Sequence, residues 1–167
     1  MALLYLRGIM DLTFKTDEGI FNCRVCAVFL HEGKLLVIGG EQPPYYYLPG
    51  GRVQLQEPME EAVLREVREE LGIEAKIIRP LWLNQGFFVE DVTGERFHEL
   101  CLYFLMDASD TDLFSRGDVF ERREGKKSHI FYWLPVDSLE EEYLYPVFIR
   151  KQILQLPENL TLQAEFE

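Results

Sequence analysis

Residues 51–73 read GRVQLQEPMEEAVLREVREELGI. Pro58 suits the first turn of a helix, where its missing N–H is harmless, and Gly72 suits the C-terminal cap. Between them stand good helix formers. On a wheel of about 100° per residue, Val63, Leu64, Val67 and Leu71 fall on one apolar arc. Glu66, Glu69 and Glu70 fall together on the opposite side, at i, i+3 and i, i+4 spacings that bring their side chains within reach of one another. Carboxylates crowded this way repel each other, and a hard divalent cation with oxygen ligands relieves the repulsion. A solvated acidic face is the plainer reading of the same residues.

The residues before the helix favour the cation. Leu48-Pro49-Gly50-Gly51-Arg52 forms a loop in which glycine lets backbone approach a ligand and present N–H groups to phosphate. Further upstream, Arg24–Leu30 and Lys34–Ile38 read as strands joined at His31-Glu32-Gly33. Glu41-Gln42-Pro43-Pro44 reads as loop and Tyr45–Leu48 as a short aromatic strand. Downstream, strands are predicted at Ala75–Ile78, Leu81–Val89, Glu99–Asp107 and His129–Leu134, with a turn at Thr93-Gly94-Glu95. Asp110–Lys127 is polar and irregular and reads as a mobile surface excursion. Pro146–Leu156 reads as a C-terminal helix. Strands alternating with helices imply an α/β or α+β layered fold.

Composition narrows the class. The chain has 167 residues, about one ordinary domain, and 47% hydrophobic residues, enough to bury a core. Its formal net charge of −12 disfavours a nucleic-acid polymer as partner. No apolar run approaches the ~18 residues of a membrane span. Met1–Ile9 is apolar but short, with Arg7 inside it and no cleavage site, so a secretory leader is not expected. Met10 offers an alternative start. Cys23, Cys26 and Cys101 are few and odd in number, which suggests reduced thiols in a cytoplasmic protein. Cys23 and Cys26 form C-x-x-C, but no second pair completes a zinc site. On a strand, residues three apart point to opposite faces, so these are read as structural thiols.

Residues 51–73 resemble the Nudix box, G-x5-E-x7-R-E-U-x-E-E-x-G-U, where U is a bulky aliphatic residue. Gly51, Glu57, Arg65, Glu66, Val67, Glu69, Glu70, Gly72 and Ile73 fill every defined position. Leu48-Pro49-Gly50-Gly51 resembles the family's entry to the box, and Trp133-Leu134-Pro135-Val136 its late strand. The resemblance spans roughly residues 24–156. It implies a Nudix fold, a mixed β-sheet sandwiched between helices. The domain is expected over residues 21–157, with residues 1–20 an N-terminal extension or strand and residues 158–167 a C-terminal tail.

The resemblance also implies roles. Glu66, Glu69 and Glu70 would hold Mg²⁺ or Mn²⁺. Glu57 would tie the loop to the helix or help hold metal, and Arg65 would orient carboxylates and pair with Glu57. The implied reaction is water attack on a phosphorus of a diphosphate linkage, with a small nucleotide as substrate and no covalent intermediate. The base is a box glutamate such as Glu69 or a carboxylate from elsewhere in the chain. Glu99, in FHELCLYFL, alternates away from Leu100, Leu102 and Phe104 and is the candidate fourth ligand or base, against a solvated strand-edge carboxylate. His98 reads as a surface histidine. Substrate contacts are expected from Arg24, Arg52, Gly50 and Gly51, and from one or two of Tyr45, Tyr46, Tyr47, Phe87 and Phe88. Phe88, Val89 and Glu90 stand where some subgroups carry a proline or tyrosine, which disfavours ADP-ribose and diadenosine polyphosphates, and the mark of NADH hydrolases is absent. Nucleoside triphosphates and nucleotide sugars stay open, as does a homodimer. The rival reading is a catalytically silent Nudix domain that senses a nucleotide.

Overall fold

The structure, a computed structural model, describes residues 10–39 and 45–167. The apolar start at residues 1–9 and the loop expected at residues 41–44 lie outside the described residues. The strands are β1 (Thr13–Lys15), β2 (Ile20–Val28), β3 (Leu30–His31), β4 (Lys34–Gly39), β5 (Tyr46–Tyr47), β6 (Gly50–Arg52), β7 (Lys76–Val89), β8 (Arg96–Asp107), β9 (Val119–Glu124), β10 (Lys127–Pro135), β11 (Leu144–Tyr145) and β12 (Thr161–Phe166). The helices are α1 (Met59–Leu71) and α2 (Ile149–Gln152), with single 3₁₀ turns at Leu113–Ser115 and Val136–Glu141.

The helix of residues 58–71 stands where the sequence puts it. Pro58 is its N-cap in extended conformation, and Gly72 closes it at φ 65°, a left-handed position suited to glycine. Ala62, Val63, Val67 and Leu71 are buried against β2, as the apolar arc requires. The β3–β4 hairpin turns on Glu32 and Gly33, both at positive φ, the two-residue turn whose twist matches its strands.

The expected single sheet is two mixed sheets among the described residues. One has the order β1-β2-β8-β7-β12, with β6 also on β2; the other has β11-β5-β4-β10-β9, with β3 on β4. In the first sheet β2 and β8 run parallel, as do β7 and β12, while β7 and β8 form a long antiparallel hairpin. Alternation along β2 and β4 divides the core. Cys23, Val25, Ala27, Leu36 and Ile38 pack with α1. Cys26, Val28, Leu35 and Val37 pack on the other side with Leu139, Ile149 and Ile153. The two C-x-x-C thiols thus serve separate cores, and all three cysteines are free and buried.

Four expectations need correction. The strands predicted at Ala75–Ile78 and Leu81–Val89 are one strand, β7, which passes Pro80 by irregularities in its pairing with β8. The excursion at Asp110–Lys127 is structured: Leu113 is fully buried, and β9 pairs with β10 while Phe120 stacks on Phe131. The helix expected over Pro146–Leu156 is α-helical only at Ile149–Gln152, with three-residue turn bonds such as Ile149 N–H to the Pro146 carbonyl before it. The tail at residues 158–167 carries β12, which lies parallel on β7 and covers that strand's outer edge.

Candidate active site

Gly50 and Gly51 lie on β6, paired to Cys26 and Val25 of β2, and the first turns of α1 pack on them. The closeness depends on the missing side chains. A Cβ on Gly50 would sit 2.1 Å from the Val25 carbonyl oxygen, and one on Gly51 would sit 2.3 Å from the Glu66 carboxyl carbon. The second clash is informative, because the glycine makes room for a carboxylate rather than for an apolar group.

The acidic side of α1 is therefore not a solvated face. Glu70 is 4% exposed, and its Oε1 accepts the Gly50 N–H at 2.8 Å. Burial pushes its carboxyl up to about 8 against that one hydrogen bond, and the neighbouring charges of Glu66, Cys26 and Glu124 add to the rise. Burial raises Glu66 too, against the pull of Arg65. Only Glu69 stands well out, its side chain 42% exposed.

Arg65 holds this arrangement together. Its Nε and Nη2 grip the two oxygens of Glu57 at 2.7 and 3.0 Å. Nη1 reaches Glu66 at 2.6 Å and Glu69 at 3.2 Å, and Nη2 also donates to the Arg52 carbonyl at 3.0 Å. Glu57 Oε2 further accepts the Gln54 N–H at 2.9 Å. Glu57 thus ties the loop at residue 54 to the helix through Arg65. Arg65 is a positioning residue, its planar fork matched to carboxylates in a way a lysine cannot reproduce.

Beside this cluster a cavity of about 600 Å³ opens on the face of the first sheet that carries Arg24, Cys26, Asn84 and Tyr103. Tyr47 lies between the two regions, its phenol raised by burial and by Glu70, with Arg24 acting the other way. Arg24 lines the cavity as expected. Its Nε is buried without a hydrogen-bond partner, and Nη1 lies 3.8 Å from Glu99. A guanidinium in a cavity wall is a natural partner for a substrate oxygen. Arg52 sits opposite Arg24 in register but turns to Asp11 at 3.7 Å and stays out of the cavity wall. A second hollow, of about 360 Å³, lies at the β1–β2 and β7–β8 turns and contains none of these residues.

Tyr45 lines the cavity edge-on to Tyr145. Phe87 and Phe88 both line the cavity. The Phe87 ring stacks on Phe166 and tilts against His98, and the Phe88 ring stacks on Phe97. Glu99 lies in the wall but beside Arg24, not among the helix carboxylates.

Sequence reasoning missed four residues. Glu124, at the end of β9, is close enough for its charge to raise both Glu66 and Glu70, and it contacts His129 Nε2 at 3.2 Å. Nothing in the segment FERREGKK marks it, since only the β9–β10 hairpin carries it back to α1. Asn84, Glu165 and Glu167 line the far part of the cavity. The period-two pattern of TLQAEFE was the available signal for the last two.

The donor set fits a hard divalent cation. It is all oxygen, it includes a carboxylate seated on a glycine, and it holds buried negative charge that a cation would stabilise. Among the described residues no three His, Cys, Asp or Glu side chains form a complete cation site. Mg²⁺ characteristically binds through one or two carboxylates, with waters and substrate phosphates completing its shell.

The family model described as NUDIX domain matches residues 22–155. The chain belongs to the Nudix family. Its similarity to the ADP-ribose pyrophosphatase of Methanocaldococcus jannaschii is 31% identity over 93 residues, 54% of this chain and 53% of that protein. The chain thus spans about half the length of this curated relative. The Nudix fold recurs in a mutator MutT protein from Bacillus halodurans, with TM-score 0.57, 16% identity and coverage of 87% of this chain and 89% of that one. It recurs also in an ADP-ribose pyrophosphatase from Streptococcus suis, with TM-score 0.53, 15% identity and coverage of 86% and 98%.

Proposed function

We propose that this Nudix protein hydrolyses a phosphoanhydride in a small nucleotide, with Glu66, Glu69 and Glu70 holding Mg²⁺ or Mn²⁺. The observation that carries the reading is the pair formed by half-buried Glu66, held by Arg65 over Gly51, and buried Glu70, held by the Gly50 N–H, beside a nucleotide-sized cavity. A bound divalent cation supplies charge stabilisation on the phosphates and lowers the pKa of the attacking water.

The chain's own residues do the rest. Arg24 offers its unpartnered N–H to a phosphate oxygen. Gly50 and Gly51 make the room in which Glu70 and Glu66 are seated. Water adds to phosphorus, the bridging P–O bond breaks, and the water's proton passes to a carboxylate. Glu69 in the box and Glu124 across from it are the candidates beside the diphosphate, while Glu99 is engaged with Arg24. Three free cysteines support a cytoplasmic setting for this chemistry.

The name of the archaeal relative puts ADP-ribose on the panel to be tested, beside nucleoside triphosphates and nucleotide sugars. The test incubates the protein with that panel and Mg²⁺ or Mn²⁺ and measures released phosphate, pyrophosphate and mononucleotide. Turnover of at least one member, lost in Glu70→Gln, supports the hydrolase. Tight binding across the panel without turnover of any member supports the nucleotide sensor instead.

A further inference from the structure

Among the described residues, β12 ends its sheet, with β7 on its inner side and no strand on its outer one. An open edge pairs readily with another strand unless it is short, charged, bulged or broken by proline. The other sheet ends use these devices. β1 has three residues and closes on Lys15. β11 has two residues, and β9 carries Glu121, Arg122, Arg123 and Glu124. β12 has six residues, TLQAEF, with no lysine, proline or glycine, and it pairs with β7 without a bulge. Its one charge, Glu165, lines the cavity and accepts the Phe148 N–H at 2.9 Å. The strand also lies beyond residues 22–155, the part of the chain that matches the family model.

The backbone of β12 shows which groups face outward. Glu167 donates its N–H to the Phe87 carbonyl at 2.9 Å, and the Gln85 amide reaches the Gln163 carbonyl. Odd-numbered residues therefore turn their backbone groups toward β7. Residues alternate along a strand, so Leu162, Ala164 and Phe166 turn their N–H and C=O groups to the open edge. Their side chains share one face, on which Leu162 is 70% exposed and Phe166 79%. Phe166 ends a row of rings in register across the sheet. It stacks on Phe87, which tilts against His98, and the row continues through Phe21 to Phe14.

We infer that two copies of this chain pair through β12, antiparallel and centred on Ala164, in an assembly that needs neither metal nor nucleotide. This register engages the full strand. Ala164 meets its own copy, so the smallest side chain of the strand sits at the two-fold axis. Leu162 lies opposite Phe166 of the partner subunit, and both lose their exposure. These are the hydrogen-bonded pairs, since both members turn their backbone groups outward. On the other face Glu165 lies opposite Gln163 of the partner subunit, and Glu167 opposite Thr161 of the partner subunit, so no like charges stand directly opposed. The two Glu165 side chains are diagonal neighbours, each drawn onto its own Phe148 N–H. A shift that centres the pair on Glu165 would set that carboxylate against its copy.

A six-residue edge is smaller than the ~800 Å² per partner of a stable complex, so association should depend on concentration across the micromolar range. Sedimentation equilibrium from about 1 to 500 µM, in about 0.3 M NaCl to screen the −12 charge of each copy, should show a monomer–dimer equilibrium. Ala164→Pro removes an outward N–H and no bond to β7. Leu162→Lys puts a charge on the exposed face and keeps the test open if proline disturbs the strand. Each should weaken association by about 10-fold or more, and a melting temperature equal to that of wild type in dilute solution shows that the strand stays docked. Ala164→Cys tests the register. Hydrogen-bonded partners have Cα atoms about 5.5 Å apart, within disulfide reach, so diamide should crosslink this variant at least about 10-fold faster than Leu162→Cys. The three native thiols are buried and do not compete. A monomer throughout the concentration range, a dimer that both Ala164→Pro and Leu162→Lys leave unchanged, or equal crosslinking of the two cysteine variants overturns the inference.

Discussion

Glu70, Glu124 and Glu99 are three carboxylates that their surroundings turn to different uses. Glu70 is buried against a backbone N–H and carries a raised proton affinity, so it gains most from a cation. Glu124 sends its charge into the same cluster from β9. Glu99 lines the cavity and faces Arg24 at 3.8 Å. Glu124→Gln should therefore lower kcat by about 10²-fold or more, the usual cost of losing a general base. Glu99→Gln should act mainly on KM, with kcat within about 10-fold of wild type. Steady-state kinetics on the best substrate decides it, and the opposite ranking would return Glu99 to the role read from its strand. The helical spacing of Glu66, Glu69 and Glu70 was legible because an α-helix has a fixed period. Glu124 was not, because a contact between β9 and α1 has no period to read.

Among the elements, the segment after β8 and the final strand depart most from the sequence reading. Residues 110–127 looked polar, yet Leu113 is fully buried in the core that packs α1. Leu113→Ala should cost about 2–5 kcal/mol in urea unfolding, as for other buried leucines, whereas a mobile excursion would show almost no change. β12 is held to the turn before α2 by Glu165. Burial, together with the charge of Glu167, pushes the Glu165 carboxyl up to about 7 from an ordinary 4.5. A raised carboxyl stabilises the fold while it is protonated. The contribution is present in full below about pH 4.5 and is lost as pH rises through about 7. Melting temperatures from pH 5 to 8 should thus fall less steeply in Glu165→Gln than in wild type. Parallel slopes would show that Glu165 titrates as it does in the unfolded chain. Short strands of mixed residues such as TLQAEF carry little intrinsic preference, and pairing with β7 makes this one a strand.

At the scale of the molecule, a net charge of −12 sits on a protein whose candidate site is itself acidic. A divalent cation that binds the folded site alone should stabilise it by about 2.7 kcal/mol at 100-fold excess over Kd, raising Tm by roughly 5–10 °C. Mg²⁺ compared with Na⁺ at matched ionic strength separates this from screening. The shift should shrink to a small fraction in Glu70→Gln, and an equal shift in that variant would place the cation elsewhere. No described helix is long and apolar enough to cross a membrane. The sequence by itself determined α1, its glycine cap, the acidic side of the helix and the family, because these depend on spacing along one helix and one glycine loop. Only the tertiary structure decided that Arg52 stays out of the cavity wall, that Asn84 and Glu165 line it, and that Glu124 comes close to Glu66 and Glu70. Those placements come from strand register, burial and the return of distant segments. Each depends on which strand lies beside which, and local preference does not specify that.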